Sequence, residues 1–379
     1  MDTSPVRIGQ RLREAREAAD LELATVAEVA GIEPARLAAA ERGGPLTGQE
    51  LSRAAEVVGL SDVELVAEGP LPQTGVSVLL RGEGERAVLA PYLGRYASIA
   101  RDLAELQGLL RVDNPARLDG FVTRARSFPE PWKQGQQLAE ELRKHLRLGT
   151  APIRSMRALL QELSVRLLWT DSLDEKIHGL TLYDARCGAT IVSNRRGILA
   201  SWWSQRMTLA HELCHLLIDR APRNPFGTVS RAESREPMEQ RANAFAIYFL
   251  APRAGVDRFL RDKKQARQSV EFYAVQQLME HFALGKEAMT LHLRHLGWID
   301  NAARERLLQQ RYLIESTADS EFPWKQSPFD RWIELGVPLE RLELIEPALA
   351  AYQAELITLG RLRELLELDP FVALGDLAA

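Results

Sequence analysis

Residues 211–219 read HELCHLLID, two histidines four apart with a glutamate directly after the first. On a helix, positions i and i+4 share one face, so His211 and His215 can converge on one metal ion while Glu212 leans into the same space. A catalytic zinc keeps three protein ligands and an open position for water. The ion lowers the pKa of that water, and a carboxylate beside it takes the proton as a carbonyl is attacked. Glu212 suits that role. The spacing alone is a weak signal: the chain has seven histidines, and the plain alternative is a helix that happens to carry two of them.

A third ligand strengthens the metal reading. MEQRANAFAIYFLAP (238–252) has the pattern of a second helix, closed by Pro252. Glu239 lies 24 residues after His215, far enough for two antiparallel helices to bring it to the metal. Glu236 is the rival, but Pro237 after it argues against a helical position. Asn243, at i+4 from Glu239, and Asp219, at i+4 from His215, are placed to accept from the second ring nitrogen of a liganding histidine. The other reading of Asp219 is a solvated charge at a helix end.

TLAHELCHLLID followed by EQRANAFAIYFLAP resembles the ImmA/IrrE family of bacterial metallo-endopeptidases. Met207 stands where that family usually has Phe, and Cys214 where it usually has Gly. The likeness runs from GQQLAEELRKHLRL upstream to FYAVQQLMEHFALGKEAMTLHLRHLGWI downstream, about residues 135–299. It implies a zincin-like domain with zinc at His211, His215 and Glu239 and Glu212 as general base. A His/His/Glu set also accepts Mn²⁺.

The two cysteines, Cys187 and Cys214, rule out a disulfide framework. Cys214 points partly off the ligand face and reads as a small buried hydrophobe. Cys187 precedes the strand GATIVSN, which should border the cleft. It is a candidate inhibitory thiol, a removable metal ligand. GLTLYDARCGATIVSN (179–194) reads as two strands. If the Ile191–Asn194 strand is outermost, its edge offers backbone pairing to an extended substrate. Trp202 and Trp203 suit either a specificity pocket or core and rim packing. Arg206 suits a substrate carboxylate or a neighbouring cap. His178, His281, His292 and His295 have no partner motif and read as structural.

Residues 8–65 carry IGQRLREAREAA, LATVAEVAGI and PARLAAAERG, short helices separated by glycine turns. They resemble the XRE, or phage-repressor-like, helix-turn-helix family, which implies DNA binding with the third helix in the major groove. Arg11, Arg13, Arg36 and Arg42 would then contact phosphates. The residues argue the other way. Base edges are read by polar side chains, and this helix offers Pro34, Ala35, Leu37, Ala38, Ala39 and Ala40, with only Glu33 and Arg36 polar near its start. Residues 1–70 hold seven Lys and Arg against 13 Asp and Glu, a net −6, whereas phosphate binding calls for positive charge. Dimerisation, or docking onto a repressor of the same fold, are the other readings.

These parts organise the chain of 379 residues. A helix-turn-helix bundle spans 1–69, a helical linker 70–134, the peptidase-like domain 135–299 and a helical C-terminal region 300–379. The fold class expected is α+β, predominantly α, with one small sheet. No apolar run reaches the roughly 18 residues of a membrane span. The start lacks a signal-peptide pattern, and the cysteine usage suits a reducing, cytoplasmic compartment. The function expected is a zinc-dependent regulatory endopeptidase, cutting a helix-turn-helix repressor or antitoxin after a stress signal. The alternative is a DNA-binding transcription regulator whose peptidase-like domain senses or scaffolds. A toxin–antitoxin partner acting by contact alone has no specific support.

Overall fold

The structure, a computed structural model, describes residues 4–19, 21–71, 86–112, 121, 130–184, 187–219, 226–231, 236–312, 329–369 and 371. It is predominantly helical with one four-stranded sheet, the α+β class expected. Five short helices come first: α1 (Pro5–Ala18), α2 (Leu23–Ala30), α3 (Pro34–Ala40), α4 (Gly48–Val57) and α5 (Asp62–Val66). Their starts are written locally. Thr47 and Ser61 each form a capping box with the glutamate three residues on. Gly31 closes α2 in the left-handed conformation, at φ 62°. Leu12, Val26, Leu37 and Leu65 are buried between them.

Two longer helices follow, α6 (Arg86–Leu109) and α7 (Pro131–His145), then α8 (Met156–Glu162). The sheet comprises β1 (Arg166–Thr170), β2 (Ile177–Asp184), β3 (Gly188–Asn194) and β4 (Phe226–Arg231), in the order β1-β3-β2-β4. β1 runs parallel to β3, with Leu168 opposite Val192. β2 runs antiparallel to both neighbours, with Leu180 opposite Val192 and Val229. The expectation that Ile191–Asn194 is an outer strand is therefore corrected. β3 is paired on both sides, so it has no edge for a substrate chain. Its residues from Ala189 to Asn194 are all buried, as an internal strand requires. β4 was not apparent from FGTVSR, where only Phe226 and Val229 are large and apolar.

One face of the sheet carries α9 (Trp202–Ile218), entered through a 3₁₀ turn at Gly197–Ala200. Gln205 on α9 accepts from the Ser193 hydroxyl at 2.8 Å and donates to the Asn194 carbonyl at 2.7 Å. α10 (Pro237–Leu250) packs on α9 and on α7. Gly135 of α7 makes the second contact close: a β-carbon there would collide with the backbone at Arg241 and Phe245. α11 (Arg253–Asp262), α12 (Phe272–Phe282), α13 (Lys286–His295) and α14 (Asn301–Leu308) continue the helical body.

The C-terminal region is divided into α15 (Phe329–Glu334), a 3₁₀ segment (Leu339–Leu344), α16 (Ile345–Gln353) and α17 (Leu359–Leu365). The breaks let it fold back onto β1. Glu340 accepts from the Thr170 hydroxyl at 2.8 Å, and Glu343 from the Trp169 indole at 2.9 Å. Arg341, buried at 3% exposure, meets Glu56 of α4, Asp102 of α6 and Glu367. Residues 72–85, 113–120 and 122–129 of the expected linker, and 313–328 of the expected C-terminal region, lie outside the described residues. Among the described residues no helix is long and apolar enough to cross a membrane.

Candidate metal centre

α9 is buried almost all round between the sheet and α10. From Thr208 to Leu217 every residue is buried. Such a helix needs no polar face, and the polar groups it does carry must find partners. His211, Glu212 and His215 are three of them, at 7%, 0% and 0% exposure. Glu239, 3% exposed, arrives from the first turn of α10. Pro237 at the start of that helix leaves Glu236 outside it, as the exposed residue just before the first turn. The third acidic position is thus Glu239, not Glu236.

His211, His215 and Glu239 form a group whose ligand atoms all lie within 4.8 Å of one another. Glu239 places Oε1 at 3.1 Å from Nε2 of His215 and Oε2 at 3.2 Å from Nε2 of His211. The outer ring nitrogens are engaged. Nδ1 of His215 is 2.7 Å from Oδ2 of Asp219, a carboxylate that only accepts, so Nδ1 holds the hydrogen. Nδ1 of His211 is 3.0 Å from Oδ1 of Asn243, with the amide oxygen accepting. Both inner nitrogens therefore present lone pairs, 3.1 Å apart.

Two lone pairs and a carboxylate turned on one point repel unless something positive sits among them. Two Zn–N bonds at a tetrahedral angle span about 3.3 Å, close to the nitrogen separation here. Oε2 of Glu239 and Oε1 of Glu212 are also buried without a hydrogen-bond partner among the described residues. Lone pairs, charge and spacing all fit a divalent cation, and these three residues could hold one. With no cation the cluster favours a proton. Burial opposes charge on His215, but its bonds to Asp219 and Glu239 outweigh that and raise its pKa to about 9. Burial likewise opposes charge on Glu239, yet the two histidines bring its pKa down to about 2.

The surroundings hold this set in place. Asp219 also accepts from Nη2 of Arg241 on α10. Glu212 packs against β2: its Oε2 accepts from the Thr181 hydroxyl at 2.6 Å. Gly179 makes room for it, since a β-carbon there would stand 2.8 Å from Oε1. Sequence reading missed Thr181 and Arg241, whose partners lie 31 and 22 residues away along the chain.

A cleft of about 710 Å³ opens onto His211, Glu212 and Asn243. Trp203, Met207 and Met279 give it an apolar wall, and Arg311 and Tyr312 also line it. The tryptophan pair divides its roles: Trp203 faces the cleft, while Trp202 is 8% exposed and belongs to the core. Arg206 is buried and donates to the carbonyls of Ile153 and Arg154, a structural tie away from any substrate. His178, read as structural, lines the cleft instead. Cys214 is fully buried, and burial pushes its thiol pKa far up, so it stays a protonated hydrophobe. Cys187 is buried in the β2–β3 turn, where its carbonyl accepts from Arg166. Its sulfur is not among the grouped ligand atoms.

Of the four arginines that the helix-turn-helix likeness would set against phosphates, one is buried. Arg11 is 8% exposed and spends its guanidinium on the carbonyls of Glu64 and Gly69, so it is corrected from a phosphate contact to a structural tie. Arg13 pairs with Glu17 and Arg36 with Glu50. Arg42 is exposed.

Residues 193–294 match the model of the Peptidase_M78 family, the IrrE N-terminal-like domain. The matched stretch contains α9, α10 and all three of the converging side chains. It supports membership of the ImmA/IrrE family for this part of the chain. A search of the curated proteins finds no match to the chain.

Proposed function

Taking residues 193–294 as an IrrE-type peptidase domain, we propose that the protein is a zinc-dependent regulatory endopeptidase. Its substrate would be a helix-turn-helix repressor or antitoxin, cut after a stress signal. One observation carries the peptidase reading. A buried carboxylate oxygen without a partner among the described residues, Oε1 of Glu212, belongs to the residue next to His211 of the His211–His215–Glu239 group, and both residues line an open cleft.

The residues divide the work as follows. His211, His215 and Glu239 would hold the ion; their mixed nitrogen and oxygen donors suit zinc and also Mn²⁺. When bound, such an ion supplies Lewis-acid chemistry toward water and a peptide carbonyl. Asp219 and Asn243 fix the two imidazole tautomers so that each Nε2 faces inward. Thr181 pins Oε2 of Glu212, which leaves Oε1 to take the proton of the attacking water. The apolar wall at Trp203 and Met207 would receive a side chain beside the scissile bond.

The N-terminal helices would dock a protein partner, either a second copy or a repressor of related fold. A regulator reading draws on α2 and α3 joined at the left-handed Gly31. It is opposed by the net −6 of residues 1–70 and by the ion pairs that engage Arg13 and Arg36.

The deciding experiment measures metal content and proteolysis together. Purified protein should carry one equivalent of metal, lost in Glu239→Ala and His211→Ala. It should cut a helix-turn-helix repressor encoded beside it, while Glu212→Gln keeps the metal and does not cut. Wild-type protein that takes up no metal, even with zinc added back, would sink the peptidase reading. A retained metal with no cleavage, combined with tight operator binding, would favour the regulator.

A further inference from the structure

The β2–β4 ladder slips at one place. Ile177 pairs with Arg231 and Gly179 with Ser230, so His178 is an extra residue between them. In an unbroken strand side chains alternate, and His178 would share the face of Leu180 and Leu182, which are buried in the core. It is instead half-buried and lines the cleft with His211 and Glu212. Bulges beside working sites commonly re-aim one side chain in this way.

The chemistry of this imidazole is narrow. It makes no hydrogen bond with any described residue. Its nitrogens are not among the ligand atoms grouped within 4.8 Å, so it is not a fourth ligand. It is near enough to be felt by the group: burial and then His211 lower its pKa below the ordinary 6.5, with Glu239 opposing. A neutral imidazole carries one N–H donor. Two other donors on the cleft wall already have acceptors. Lys286 donates to the Leu308 carbonyl and the Tyr312 hydroxyl to the Leu307 carbonyl, each at 3.2 Å. Glu212, as a carboxylate, has nothing to donate.

Attack on a peptide carbonyl moves negative charge onto its oxygen. Donors preset around that oxygen often make the largest single contribution to the rate. We propose that His178 is a catalytic residue, whose imidazole N–H hydrogen-bonds the scissile carbonyl oxygen as that oxygen gains charge. No proton leaves His178 in this step; the proton from water goes to Glu212. The inference rests on the peptidase reading and adds a residue outside the matched stretch 193–294.

The test uses full-length zinc-loaded protein, as wild type, His178→Ala and His178→Gln. Two probes are titrated by calorimetry: N-phosphoryl-leucyl-tryptophan, a tetrahedral anion, and N-acetyl-leucyl-tryptophan, its planar counterpart. The leucine answers the apolar wall. His178→Ala should weaken the tetrahedral probe by roughly 10²-fold, leave the planar probe within about twofold, and keep one equivalent of zinc. His178→Gln, which retains a donor, should recover part of the loss. Equal weakening of both probes would reduce His178 to packing, and no weakening of the tetrahedral probe would remove it from catalysis. Loss of zinc in His178→Ala would make it a ligand, which also overturns the proposal. Wild type that binds neither zinc nor the tetrahedral probe would take down the peptidase reading itself, a result distinct from the others.

Discussion

The metal centre and the N-terminal bundle use the same kinds of side chain to opposite ends. In the bundle, Arg11 and Arg16 meet partners within the bundle. Arg11 is consumed by two backbone carbonyls, and Arg16 grips Glu41 with two hydrogen bonds of 2.6 and 2.9 Å. At the centre, buried groups are brought together and left incomplete: two lone pairs, a carboxylate and the unpartnered Oε1 of Glu212. Leaving a buried polar group unpaired costs about 1–3 kcal/mol, so a fold that does so repeatedly at one point has a reason there. Charged residues by themselves do not mark a site. Unsatisfied ones that converge do.

The largest effects should fall where the incompleteness is greatest. Glu239→Ala removes a ligand and should abolish metal retention, read by elemental analysis after dialysis. Glu212→Gln should keep the metal and lower turnover by about 10²–10⁴-fold. If Glu212→Gln cuts normally, the unpartnered Oε1 is not the working atom and the contrast loses its centre.

His292 tests a buried titratable group outside the centre. It is fully buried on α13, and Nε2 donates to the Ala251 carbonyl at the end of α10 at 2.8 Å. Burial, with the charge of His295, outweighs that bond and lowers its pKa from 6.5 to about 4. The fold thus prefers the neutral ring. That contribution is complete above pH 6.5 and is lost as the pH falls from there through the folded value near 4. It amounts to about 3 kcal/mol at 1.36 kcal/mol per pH unit. Denaturation midpoints followed from pH 7 to pH 4 should show the loss, and His292→Gln should flatten it.

Arg11→Ala should destabilise the protein by about 2 kcal/mol, since it leaves two carbonyls without a charged donor. Zinc stoichiometry should not change. A parallel loss of metal would show that bundle and centre are not separable. Smallest of all, Asn243→Ala should weaken metal affinity by about tenfold, measured by competition with a chelator. An unchanged affinity would mean that the His211 tautomer needs no help from Asn243.

Much of the centre was legible in advance because its logic is local. His211 and His215 are one helical turn apart, Asp219 is one turn beyond, and Asn243 is one turn after Glu239. Helical periodicity alone puts each pair on a common face, and the hydrogen bonds at 2.7 and 3.0 Å follow. The paired motifs also carried the family likeness. The two strands of GLTLYDARCGATIVSN were readable from β-branched and aromatic residues bounded by turns.

What the sequence by itself determined, then, was the pair of ligand-bearing helices, the spacing of the ligands along them and the acidic character of the N-terminal bundle. Only the tertiary structure decided which strand lies inside the sheet, which arginines are already spent, and which histidine turns into the cleft. The internal position of β3 depends on β1 and β2 flanking it. The fate of Arg11 depends on carbonyls 53 and 58 residues away. The aim of His178 depends on a one-residue slip against β4. The physical reason is common to all three. Helical faces are set by hydrogen bonds four residues apart, while strand order, ion pairing and bulges are set by groups that meet only after the chain has folded.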